Sequence, residues 1–144
     1  MIEQDTIKLL RECDSGVKMG VSSICGVLDY VHSQEQKKLL SACRTKHDQL
    51  DSEIRELLDR YGDEGKAPNP VARKMAEMET KWKLTVKDSD QSIAELITDG
   101  CNMGVKSLSR YLNRYEAADE SSKNIAKRLI ALESQLAVDM RGFL

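Results

Sequence analysis

The stretch Gly16-Val17-Lys18-Met19-Gly20-Val21-Ser22-Ser23 returns 84 residues later as Gly100-Cys101-Asn102-Met103-Gly104-Val105-Lys106-Ser107. Extending the comparison to residues 9–31 against 93–115 gives six identities in 23 positions, the sixth being Leu28 with Leu112, and pairs such as Ile24 with Leu108 stay apolar. Two unrelated amphipathic helices share apolar positions readily, but not two glycines, a methionine and a serine in one register. The chain therefore reads as two related helical hairpins.

Working outward from the first copy, Leu10, Cys13, Val17, Gly20, Val21, Ile24, Val27, Leu28 and Val31 recur at three- and four-residue steps. That spacing is one buried stripe, and it predicts a helix over about residues 2–31. Ser33 and Gln36 have the spacing of a capping box, so a tight turn leads into a second helix over about residues 34–61. Its stripe is Leu39, Leu40, Cys43, Leu50, Ile54, Leu57, Leu58 and Tyr61, with Gly62 placed to end it. Helices joined so closely pack antiparallel. The second copy opens a helix over about residues 89–116 on Ile93, Ile97, Cys101, Gly104, Val105, Leu108, Tyr111, Leu112 and Tyr115. A last helix over about residues 120–142 uses Ile125, Leu129, Leu132, Leu136, Met140 and Phe143. A shift of 86 aligns it with the second helix, setting Cys43 against Leu129, His47 against Glu133 and Leu50 against Leu136.

Between the hairpins, residues 62–88 hold both prolines, and Asn69-Pro70 has the form of an N-cap followed by Pro at the first helical position. A short helix carrying Met75, Met78 and Trp82 follows, then the polar run Lys87-Asp88-Ser89-Asp90-Gln91. One unbroken helix from Pro70 to Tyr115 is the other reading. Helices of about 28–30 residues extend for about 42–45 Å, a span the connector can cover if half of it is helical, whereas an up-down-up-down connection needs only a few residues. The expected organisation is thus one all-α domain over residues 1–144, with hairpin one at 2–61, a crossover at 62–88 and hairpin two at 89–142. Gly16, Gly20, Gly100 and Gly104 are expected where the first and third helices approach closely.

Composition agrees. Charged residues are 32% and aromatics 4% of 144, with 2 Pro and 8 Gly, which favours helices over a sandwich or barrel. The formal charge of -2 gives no field to recruit nucleic acid. No run approaches the roughly 18 apolar residues that span a bilayer, and the start Met1-Ile2-Glu3-Gln4-Asp5 lacks the basic region of a signal peptide, so neither membrane nor export is expected. Cys13, Cys25, Cys43 and Cys101 are widely spaced with no CxxC, which points to reduced thiols in a cytoplasmic protein.

Two hairpins, a crossover with a Trp, a Cys-x-x-Gly element at Cys13–Gly16 and an Asp-Gly element at Asp99-Gly100 together resemble uncharacterised bacterial domains of the ferritin-like superfamily. The resemblance implies a ferritin-like four-helix bundle and, in active members, two irons held by inward carboxylates and an ExxH motif on each of the second and fourth helices. Here neither ExxH occurs, since Arg44 precedes His47 and Asp29 precedes His32 at that spacing. Glu12 lies off the stripe, and Glu95 and Asp99 fall on the far side of their helix. No cofactor is therefore expected, iron included, and no catalytic residue is assigned. His47 and Glu133 are expected as a buried hydrogen-bonded pair, with a Cys43/His47/Glu133 metal site as the sharper reading. The resemblance also offers haem ligation by Met19 and Met103, against packing as gap-fillers. Trp82 among Lys81, Lys83 and Lys87, and Gly62-Asp63-Glu64-Gly65-Lys66, carry no nucleic-acid or phosphate-loop pattern. The expected function is non-enzymatic, through a protein partner or a homo-oligomer anchored by Met19, Tyr30, Trp82 and Met103. The alternative is a metal- or haem-binding redox protein.

Overall fold

The structure, a computed structural model, describes residues 4–68, 70, 73, 76, 77, 80 and 89–144. Among the described residues there are four long helices, α1 (Gln4–Leu28), α2 (Gln34–Arg60), α3 (Asp90–Arg114) and α4 (Glu120–Met140), and a final 3₁₀ turn at Arg141–Phe143. No strand occurs among the described residues.

Each boundary has a local cause. Ser33, Ser89 and Asp119 are extended residues whose side-chain oxygens accept the N–H of Gln36, Ser92 and Ser122, supplying an acceptor to donors the helix leaves unpaired. The cap at Ser89 starts α3 afresh, which decides against one helix from Pro70 to Tyr115. Within 70–80 the described residues Pro70, Arg73, Ala76, Glu77 and Thr80 are helical, while Trp82, Lys81, Lys83 and Lys87 lie outside the described residues. Gly62, with φ of 67°, closes α2: its N–H reaches Asp59 O and that of Asp63 reaches Leu58 O, a turn that needs a left-handed residue.

The expected capping box at Ser33 forms only by half. Ser33 caps Gln36, but the Ser33 N–H goes to Asp90 Oδ2 at 2.9 Å and the Gln36 amide to Asp90 O at 3.1 Å. Asp90, at the start of α3, thus clamps the α1–α2 turn, also accepting the His32 N–H at 2.7 Å. Met140 Sδ, at the end of α4, meets Gln36 at the same end. At the opposite end Asp5 and Thr6 of α1 accept the N–H groups of Ala117 and Asp119, and Tyr61 donates to Asp119 at 3.3 Å.

These contacts set the directions. α1 and α4 run one way, α2 and α3 the other, and α2 ends at the opposite end of the bundle from where α3 begins. α1 packs between α2 and α3, α4 does the same from across the bundle, and α1 and α4 touch. The apolar stripes make two core clusters. One contains Leu9, Leu10, Cys13, Val17, Leu50, Ile54, Leu58, Leu108, Ala126 and Leu129. The other contains Ile24, Val27, Leu40, Cys43, Ile93, Ile97, Cys101, Leu136 and Met140. Truncating one such leucine costs about 2–5 kcal/mol.

Candidate functional site

Each helix brings one residue to the level between the two clusters, where these residues meet. On α1 it is Gly20, between Val17 and Ile24; on α2 His47, between Cys43 and Leu50; on α3 Gly104, between Cys101 and Leu108; on α4 Glu133, between Leu129 and Leu136. The helical period puts these four at one level, so the waist of the bundle carries two polar side chains and two glycines.

The polar side chains meet. His47 is fully buried and Glu133 nearly so, and His47 Nε2 lies 2.8 Å from Glu133 Oε1. On the other side of the ring Nδ1 lies 2.9 Å from Cys43 O. A carbonyl only accepts, so Nδ1 carries a hydrogen. Burial favours a neutral ring, but the hydrogen bonds to Cys43 and Glu133, with the carboxylate's charge, outweigh it and raise the His47 pKa from 6.5 to about 10. Near neutral pH the ring is an imidazolium donating from both nitrogens. Glu133 also takes the thiol of Cys101, whose pKa rises through burial first, then through the charge and hydrogen bond of Glu133.

The glycines make room. A Cβ on Gly20 would lie 2.7 Å from His47 Nε2, 2.9 Å from its Cδ2 and 3.3 Å from Glu133 Oε1. A Cβ on Gly104 would meet the Glu133 carboxyl at 3.7 Å. What takes the missing side chains' place is therefore the ion pair, not the close backbone approach expected of Gly16, Gly20, Gly100 and Gly104. Gly16 faces Leu129 and Leu108 at ordinary contact distance, and Gly100 is exposed, with open space where a Cβ would stand.

The Cys43/His47/Glu133 set does not fit a metal. The imidazole stands between the other two, with Glu133 on Nε2 and Cys43 Sγ 3.5 Å from Nδ1, so the donors do not converge on one point. Among the described residues no group of three His, Cys, Asp or Glu side chains is placed to hold an ion. Nor do the ferritin-type carboxylates turn inward: Glu12 pairs with Lys66 at 2.6 Å, and Glu95 and Asp99 are exposed.

Met19 lines a shallow groove with Ser22, Ser23, Gly26, Arg73 and Ala76, whereas Met103 is 70% exposed. Tyr30 is also exposed. A second, open groove between the ends of α2 and α4 is lined by Glu53, Glu56, Arg60, Glu120, Lys127 and Arg128, charges that largely neutralise one another. Neither groove reaches His47, Glu133 or a cysteine. Burial, with the charges of Glu12 and Asp14, pushes the Cys13 thiol up to about 12, which leaves it a poor nucleophile. No helix among the described residues is long and apolar enough to cross a membrane. Comparison with known protein families, curated proteins and solved structures finds no match.

Proposed function

We propose that this chain is a ferritin-like scaffold without ferritin chemistry, a non-enzymatic bacterial cytoplasmic protein that acts by self-association or by binding a protein partner. One observation carries the reading: the buried polar layer is closed on itself. His47 and Glu133 satisfy each other, and neither of the two grooves described above leads to them. A buried ion pair of this kind fixes which helix faces which, a role in register rather than in turnover. The ferritin-like topology is supported by the opposed ends at which α2 stops and α3 starts, since parallel neighbours in sequence need a long connection. The pseudo-repeat is supported by the shared level of Gly20 with Gly104 and of His47 with Glu133.

Self-association is favoured by the surface. Met103 is 70%, Leu144 53% and Tyr30 45% exposed, and burying such a side chain gains about 1.5–3 kcal/mol. Sedimentation equilibrium over a concentration series tests this. The expected result is concentration-dependent association that Met103→Glu weakens. A monomer at every concentration, unchanged by Met103→Glu, overturns the self-associating form, and stoichiometric iron or zinc in natively purified protein overturns the non-metal reading.

A further inference from the structure

Outside the His47–Glu133 layer the core carries a second polar defect. Asp14, on α1, is 1% exposed. Its Oδ2 accepts the backbone N–H of Lys66 at 3.0 Å and the Lys18 ammonium at 2.9 Å, but its Oδ1 is buried without a donor. Asp51, on α2, has the same fault: its Oδ1 is buried and unpaired. The two carboxyls are in hydrogen-bonding reach of each other. Two carboxylates only accept, so they can pair only when one of them holds a proton.

We propose that Asp14 and Asp51 form a carboxylic acid–carboxylate pair sharing one proton, Asp51 the donor and Asp14 the acceptor, and that losing the proton loosens the 62–68 loop from α1. The loop depends on Asp14 because its backbone lies directly on that carboxylate. Gly65 has φ of 84°, and a Cβ there would collide with Asp14 Oδ2. The loop's other ties, Arg11 to Asp63 and Lys66 to Glu12, each have a half-exposed cation and contribute little. When Asp51 ionises, its charge stands against the group that holds the Lys66 N–H.

The surrounding charges act in both directions. Burial and the Asp14 charge raise the Asp51 pKa above 3.8, against Arg55 on its own helix and Lys18 on α1. From the loop, Lys66 is turned to Glu12 and toward Tyr111 of α3 and Tyr115 just past its end, and Asp63 to Arg11. With the folded value raised, the stabilising contribution is complete below 3.8 and is lost as pH rises through the raised value.

Carboxyl ¹³C NMR of the full chain, with amide exchange at Lys66, tests the pair. The expected Asp51 midpoint lies above 3.8 and falls toward it in Asp14→Asn, and Lys66 protection in the unaltered chain drops across the same pH range. Asp51→Asn places a permanent donor opposite Asp14, so Lys66 protection becomes independent of pH across that range. An Asp51 midpoint at or below the ordinary value, or one that Asp14→Asn leaves unmoved, overturns the proposal. So does a midpoint that falls on adding magnesium, which would assign the site to a metal cation.

Discussion

Substituting alanine for Gly20 inserts one methyl group between α1 and the His47 ring. In an open helix interior the change from Gly to Ala stabilises by about 0.5–1 kcal/mol. At Gly20 the new carbon would lie 2.7 Å from Nε2 and 2.9 Å from Cδ2 of a ring that cannot swing aside, because its two nitrogens are bonded to Glu133 and to Cys43 O. Relief comes either from shifting α1, an overpacking cost of about 1–3 kcal/mol, or from breaking a charge-assisted bond, about 1.5–3 kcal/mol. Net of the propensity gain, Gly20→Ala loses roughly 1–2 kcal/mol. Gly26→Ala and Gly100→Ala, with nothing within 4 Å, gain up to about 1 kcal/mol. Gly16→Ala and Gly104→Ala, at ordinary contact distance, fall between. Urea unfolding of the series gives the comparison directly, and a Gly20→Ala protein as stable as Gly26→Ala would refute the placement of the ring against α1.

The ion pair should show a buried pair's asymmetry: Glu133→Leu leaves His47 without its partner and costs about 3–5 kcal/mol, while His47→Leu/Glu133→Leu costs less than Glu133→Leu alone, measured by the same unfolding curves. Stability should also decline with alkali, because the His47 contribution is complete below pH 6.5 and is lost as pH rises through about 10, a trend that thermal melts across that range would reveal and that His47→Leu should flatten. Thiol labelling of the folded protein should modify Cys25, which is exposed, while Cys13, Cys43 and Cys101 react only on unfolding; rapid labelling of Cys101 would contradict its burial beside Glu133.

The helices are legible because three- and four-residue spacing survives any packing detail: α2 runs from Gln34 to Arg60 where its stripe spans Leu39 to Tyr61. Aligning the hairpins at a shift of 86 sets His47 opposite Glu133, and the side chains meet at 2.8 Å. Illegible in the sequence is what fills the space beside each glycine, since Gly20 and Gly100 are alike in spacing yet one faces an imidazole and the other open space. The Asp90 clamp and the Asp14–Asp51 pair are equally hidden. They join residues 57 or 58 and 37 positions apart, on helix flanks where periodicity carries no signal. Gln36 reads as half of a capping box from spacing alone, and only the arrival of α3 turns its amide to Asp90.

At the waist of the bundle His47 and Glu133 form a closed ion pair that holds the helices in register. Nitrogen-15 NMR of the His47 ring near neutral pH tests it most directly. Both ring nitrogens are expected to be protonated, with a midpoint near 10 and a large downward shift of that midpoint in Glu133→Gln. A neutral ring titrating near 6.5, unmoved by Glu133→Gln, would contradict it.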